Sequence, residues 1–139
     1  GGDISKFGSN EKIKRVLSVE PNLAFSDEFS RRLKNSKYNK KFHLLKGVKG
    51  EEKSKIIEGM NYFFPKNMRG QRLSISFMIS LSFFWSSEEN LLKLADTINS
   101  INAEYKNRNG TENLRIIFYT IDGYRVRLLL VSTEKIKSK

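Results

Sequence analysis

Three groups of basic side chains carry the only chemistry that residue type and spacing suggest in this chain. The first is Arg31, Arg32, Lys34, Lys37, Lys40 and Lys41, and from Arg31 to Lys49 there are eight Lys or Arg and no acid. The second is Lys66, Arg69 and Arg72, in the Gly-containing stretch PKNMRGQR. The third is Arg115, Arg125 and Arg127, on β-rich sequence that also carries Tyr119. Clustered ammonium and guanidinium groups attract phosphate, and Arg adds a two-pronged hydrogen-bond donor that fits it. Nucleic acid and anionic lipid head groups both supply that phosphate. The same lysines are also what a Lys-, Asn- and Ile-rich composition places on any solvated surface.

Other chemistry is poorly provided for. His43 is the single histidine and there is no cysteine, which excludes disulfides, thiolate metal sites and His-rich ones. Glu51-Glu52 and Glu88-Glu89 fall in expected first turns of helices, where the helix dipole accounts for them, and Asp122 belongs to a turn. Asp96, Glu104 and Glu112 are scattered, and no carboxylate pair has a spacing that proposes a general acid and base. The sequence lacks a G-x-S-x-G elbow, a phosphate-cradling G-x-x-x-x-G-K-[ST] loop and a G-x-G-x-x-G turn. The expectation is a protein that is not an enzyme, with no catalytic residue, metal or cofactor. Asn109-Gly110-Thr111 fits the N-glycosylation triplet, which carries weight only with a secretory route.

The chain has 139 residues, 38% of them hydrophobic and 12% aromatic, enough for one domain with a real core. No apolar run reaches the roughly 18 to 20 residues a membrane helix needs. The net charge of +11 is uneven: residues 1–72 carry 17 Lys/Arg against 8 Asp/Glu, and 73–139 carry 9 against 7. Gly1-Gly2-Asp3, without an initiating Met, reads as a tag remnant on a piece of a longer protein, so residues 1–9 are expected to be a disordered linker. A single α+β domain then spans 10–133, mainly helical and basic over 10–70 and β-α-β-β over 71–133, with a loose tail at 134–139. No compartment is implied.

The elements that must position the basic groups follow from periodicity. Asn10 to Ser18 is expected as a short helix with Ile13, Val16 and Leu17 on one face, ended by Glu20-Pro21. FSDEFSRRLKNS is expected as a second helix capped by Ser26, with Asp27 and Glu28 early, Arg31, Arg32 and Lys34 late, and a narrow apolar stripe of Phe25, Phe29 and Leu33. Residues 41–48 fit a short strand. Ile56, Met60 and Phe63/Phe64 mark a helix over 51–64 that Pro65 stops. Residues 73–85 alternate apolar side chains with Ser74, Ser76, Ser80 and Ser82, the pattern of a strand with one polar face. Ser86 to Glu89 is a capping box, and Leu91, Leu94, Ile98, Ile101 and Tyr105 give the following helix a buried stripe that ends at Asn107 to Gly110.

LRIIFYTIDGYRVRLLLVS reads as a hairpin. A three-residue Ile121-Asp122-Gly123 loop collects Leu114, Ile116, Phe118, Tyr124, Val126, Leu128 and Leu130 on one face, a better pattern than the two-residue alternative gives. The opposite face then receives Arg115, Tyr119, Arg125 and Arg127 together with Ile117, Leu129 and Val131. With the long helix on the apolar side, the serines and arginines share an outward surface. The fold expected is therefore α+β, a ferredoxin-like β-α-β-β sheet unit over about 72–133 with N-terminal helices packed on it. An ordinary half-exposed antiparallel strand gives the same serine alternation.

That order of elements is similar to half of the split unit used by RNA-recognition modules. DGYRVRLLLV lacks the second glycine and the spaced aromatics of their central strand, so the similarity is one of topology. The order also resembles the ferredoxin-like domains of inner-membrane assembly proteins in type IV pilus and type II secretion machines, again by topology. The expected function is a non-enzymatic module that binds the phosphates of RNA or single strands through its basic helices and the Arg/Ser sheet face. The alternative is a self-associating or partner-binding scaffold domain from a larger assembly, with or without a membrane anchor. An anionic membrane surface is the less favoured partner.

Overall fold

The computed structural model describes residues 2–78, 88–111 and 114–119. In chain order these form α1 (Gly2–Gly8), β1 (Val16–Glu20), α2 (Leu23–Lys34), a single 3-10 turn (Asn39–Lys41), β2 (Phe42–Lys46), α3 (Lys53–Phe63), β3 (Ser74–Met78), α4 (Glu88–Asn109) and β4 (Arg115–Tyr119). The described fold is α+β, with four α-helices and two small parallel sheets of two strands each.

β1 replaces the helix expected over 10–18. Asn10 makes only one turn, its Oδ1 accepting from the Lys12 amide at 3.0 Å and its carbonyl from Ile13 at 3.1 Å. Val16 to Glu20 then pair in parallel with Phe42 to Lys46, in the register Val16↔Phe42 through Glu20↔Lys46. The apolar residues at 13, 16 and 17 fit a helix on paper. Leu17 and Val19, two apart, are the ones that pack on the core, and this tertiary pairing decides for a strand.

Pro21 ends β1, and Asn22 follows as the N-cap of α2, accepting from the Phe25 amide at 3.1 Å. The helix therefore starts four residues earlier than the Ser26 cap would put it. Ser26 is instead fully buried; its hydroxyl donates to the Glu20 carbonyl at 3.0 Å and lies 3.4 Å from the Gly47 amide. The inward face is accordingly Ser26, Phe29, Ser30 and Leu33, while Phe25, assigned to the stripe by sequence, is 66% exposed.

A parallel pair needs a crossover and is usually covered on both faces. β1 and β2 meet both conditions. Phe42 faces α2, its ring 6.2 Å from that of Phe29 and edge-on to it. Leu17, Val19 and Leu45 face α3 and join the core of Val48, Ile56, Met60 and Ile101. Gly59 lets α3 come close, since a Cβ there would stand 2.9 Å from Leu45 Cδ1 and 3.4 Å from Leu17 Cδ1. On the other side of α3 lie α4 and β3, whose Leu73 approach and Ile75 pack against the same core.

β3 and β4 pair directly and in parallel, from Ser74↔Arg115 to Met78↔Tyr119. This corrects the expected ferredoxin-like arrangement. A split unit keeps the two strands of its β-α-β apart with another strand between them, and direct bonding leaves no such place. No antiparallel sheet is seen among the described residues. The hairpin around Asp122-Gly123, the capping box at Ser86 and the strand beyond Met78 lie outside them.

Residues 2–8, expected to be a loose linker, are helical as α1. Ile4 is buried, and Gly8 sits against the Tyr38 ring with no room for a Cβ. The end of that helix needs donors for its last carbonyls; Lys41 Nζ donates to Gly8 O at 2.9 Å and, just past the helix, to Asn10 O at 2.8 Å.

A basic pole as the candidate interface

Strand direction decides where the charges go. All described strands start, and helices α2, α3 and α4 end, at one pole of the molecule. Three sets of contacts establish this. The end of α3 meets the start of β2, where His43 lies 4.8 Å from Tyr62 and 5.5 Å from Phe63 between ring centroids. The end of α3 also meets the end of α4, with Arg108 donating to the carbonyls of Phe64 and Pro65, both at 3.2 Å. The end of α4 holds the loop that enters β3. The last turns of α2 and α4, where the dipole is negative, carry basic residues and that of α3 carries none, so the shared direction brings two basic helix ends to one side.

Arg108 is the buried centre of the pole, with its side chain 6% exposed. It donates to Glu104 through Nε at 3.0 Å and Nη2 at 2.9 Å, and to Asn61 Oδ1 at 2.5 Å. Its other nitrogen reaches the Met60, Phe64 and Pro65 carbonyls, so a charge from α4 closes the C-terminus of α3. The sequence reading did not single out this residue. The Glu104/Arg108 spacing of four was visible, but nothing local says which arginine will be buried.

The next residues grip the loop 66–72. Met68 is buried, and its amide donates to the Arg108 carbonyl at 3.0 Å. Asn109 Nδ2 donates to the carbonyls of Met68 and Gln71 at 2.8 and 2.9 Å. Tyr105, fully buried, gives its hydroxyl proton to Gln71 O at 2.6 Å. Gly70 takes a positive φ of 76°, which allows the tight turn between these anchors. Lys66, Arg69 and Arg72 are all exposed on this pinned loop. Asn109, which looked like a glycosylation acceptor, is a clamp.

Arg115 joins them at the start of β4, its amide donating to Leu73 O at 3.1 Å. Ser74, Ser76, Arg115 and Ile117 are exposed on the face of β3 and β4 away from Ile75 and Ile116. Over this length the serines and the arginine do share the outward side. Tyr119 ends β4; Arg125 and Arg127 lie outside the described residues.

The first basic group stands at the same pole, at the end of α2 and the start of β2, but its members differ. Arg31 and Arg32 are both taken by Glu28, at 2.7 and 2.8 Å. Hydrogen bonds from Arg31 and then Arg32 hold the Glu28 carboxyl down to about 2 from its ordinary 4.5, and the pairing raises Arg31 in turn. Lys41 is committed to the Gly8 and Asn10 carbonyls. Lys34, Lys37 and Lys40 are exposed, with Lys37 Nζ 5.2 Å from the centre of the Tyr38 ring. Lys34 and Lys40 also line a shallow depression with Ser30, Leu33 and Asn39. At the opposite pole and along the helix flanks, four cations are matched by acids, Lys46 with Asp27, Lys53 with Asp96, Lys55 with Glu52 and Lys93 with Glu89, while Lys49 is exposed.

Among the described residues no group of three or more His, Cys, Asp or Glu could hold a metal ion, and no helix is long and apolar enough to cross a membrane. The chain matches no family model, no curated protein and no solved structure.

Proposed function

We propose that this protein is a non-enzymatic module that binds the phosphates of RNA or single-stranded nucleic acid at its basic pole. One observation carries the reading: Lys66, Arg69, Arg72 and Arg115 are exposed on a rigidly pinned loop and an adjoining strand, with no ion pair to an acid among the described residues. By contrast Arg31, Arg32, Lys46, Lys53, Lys55, Lys93 and Arg108 each face an acid. Fixed, unneutralised charges are what a phosphate backbone replaces counterions on, with little ordering cost. Lys34, Lys37 and Lys40 widen the footprint.

The test is fluorescence anisotropy of a short labelled single strand over a range of salt. With four to seven of these cations engaged, log K should fall against log salt with a slope of about −3 to −5. Arg69→Ala with Arg72→Ala should weaken binding uniformly across sequences and flatten the slope by about one unit or more. Affinity independent of salt, or no binding by a monomer, sinks the proposal. A salt-insensitive dimer that binds no strand would instead favour the scaffold reading, and recovery only on anionic vesicles the membrane one.

A further inference from the structure

The start of β2, which follows the first basic group in the chain, meets the end of α3, which precedes the second, and the side chain exposed there is aromatic. Tyr62, in the last turn of that helix, is 77% exposed. It does not stand alone: its ring lies 4.8 Å from His43 at 46°, and His43 in turn lies 5.5 Å from Phe63. One side of the tyrosine is thus supported by an imidazole that is itself packed, while much of the rest faces solvent. His43 follows Lys40 and Lys41 in sequence, and Tyr62 precedes Lys66 by four residues, which the chain spans in at most about 14 Å.

We infer that Tyr62, backed by His43, is the stacking platform for an unpaired base of the bound strand. This deepens the reading of the pole as a phosphate site and rests on it. Cations alone hold duplex and single strand alike, whereas an open aromatic face takes a base only if that base is free of its own stack. Cationic groups on both sides of the ring in the chain hold the phosphates of neighbouring nucleotides. The platform therefore selects single strands and tolerates every base, since each has a π-face. Tyr119, at the end of β4, is a separate residue.

The experiment compares three probes with the same number of phosphates: an intact single strand, the same strand with abasic sites, and a duplex of half the length, each as RNA and as DNA. Tyr62→Ala, at an exposed position, should bind the intact strand about ten-fold more weakly, leave the abasic strand and the salt slope unchanged, and lose the preference over duplex. Tyr62→Phe should retain wild-type behaviour. Equal losses on intact and abasic strands would overturn the inference, because the residue would then act without a base. So would an unchanged Tyr62→Ala beside a weakened Arg69→Ala/Arg72→Ala variant, which leaves the phosphate reading standing. If wild-type protein binds no probe, both fall.

Discussion

Replacing Arg108 by Met tests the centre of the pole directly. Methionine keeps most of the apolar stem and removes the charge and every donor, so the loss is polar rather than a packing defect. Three consequences add up. The Glu104 carboxylate loses its partner, though at 31% exposure water can reach it. The Phe64 and Pro65 carbonyls past the end of α3 lose their donor, as does Asn61 Oδ1. Breaking a buried ion pair from one side costs about 3 to 5 kcal/mol, and each acceptor left unmet about 1 to 3. Solvent access to Glu104 places the expected total near the low end, about 3 kcal/mol, or a fall of about 10 °C in Tm for a chain of this size. Arg108→Lys keeps the charge without the fork and should lose about half as much. Urea unfolding followed by circular dichroism measures both, and the slope should stay constant while the midpoint moves. In the double variant Glu104→Gln/Arg108→Met the costs should be less than additive, because the abandoned carboxylate is gone. Amide exchange across 66–72 should quicken in Arg108→Met, since the loop hangs on this turn of α4. A midpoint within about 0.5 kcal/mol of wild type would refute the reasoning, for it would mean that the guanidinium is neither buried nor bonded as described.

Two further outcomes follow from local electrostatics and capping. The Glu28 carboxyl, lowered to about 2 from 4.5 by Arg31 and Arg32, stabilises the fold fully above its ordinary value, and that contribution is lost as pH falls toward about 2; a carboxyl-carbon NMR titration with its midpoint near 4.5 would show that the pairing is absent in solution. Glu28→Gln frees both arginines and should tighten strand binding several-fold at low salt and little at high salt. Asn22→Ala should cost about 1 kcal/mol in urea unfolding and Asn22→Asp almost nothing, whereas equal effects of the two would show that the side chain does not cap α2.

Several elements were legible because one local rule governed each. Ile56 and Met60 marked α3 and Pro65 its end; Leu94, Ile101 and Tyr105 marked α4, and Gly110, at φ 86°, its stop. The short strand at 42–46 and the outward parity of Ser74, Ser76 and Arg115 were readable from period-two alternation. Where two local rules competed, the local reading took the wrong one, the Ser26 cap and the helix over 10–18. Asn22 and Ser26 are both good caps, and Ser26 lost because its hydroxyl is needed by Glu20 O on another element. Residues 16–20 suit a helix or a strand, and only the partner at 42–46 chooses.

Composition by itself determined that the protein is strongly basic and that its cations cluster along the chain. It could not determine which of them are available, because that depends on acids one helical turn away and on acceptors distant in sequence that the fold brings near. Glu28 lies just outside the acid-free run yet folds back on Arg31 and Arg32, and Lys41 reaches across 31 and 33 residues to Asn10 and Gly8. Tertiary structure made the basic pole. Parallel strands joined by crossover helices bring strand starts and helix ends to the same side, so that the loop 66–72, Arg115 and the segment from Lys34 to Lys40, separate runs in the sequence, share one pole with Tyr62 in the last turn of α3.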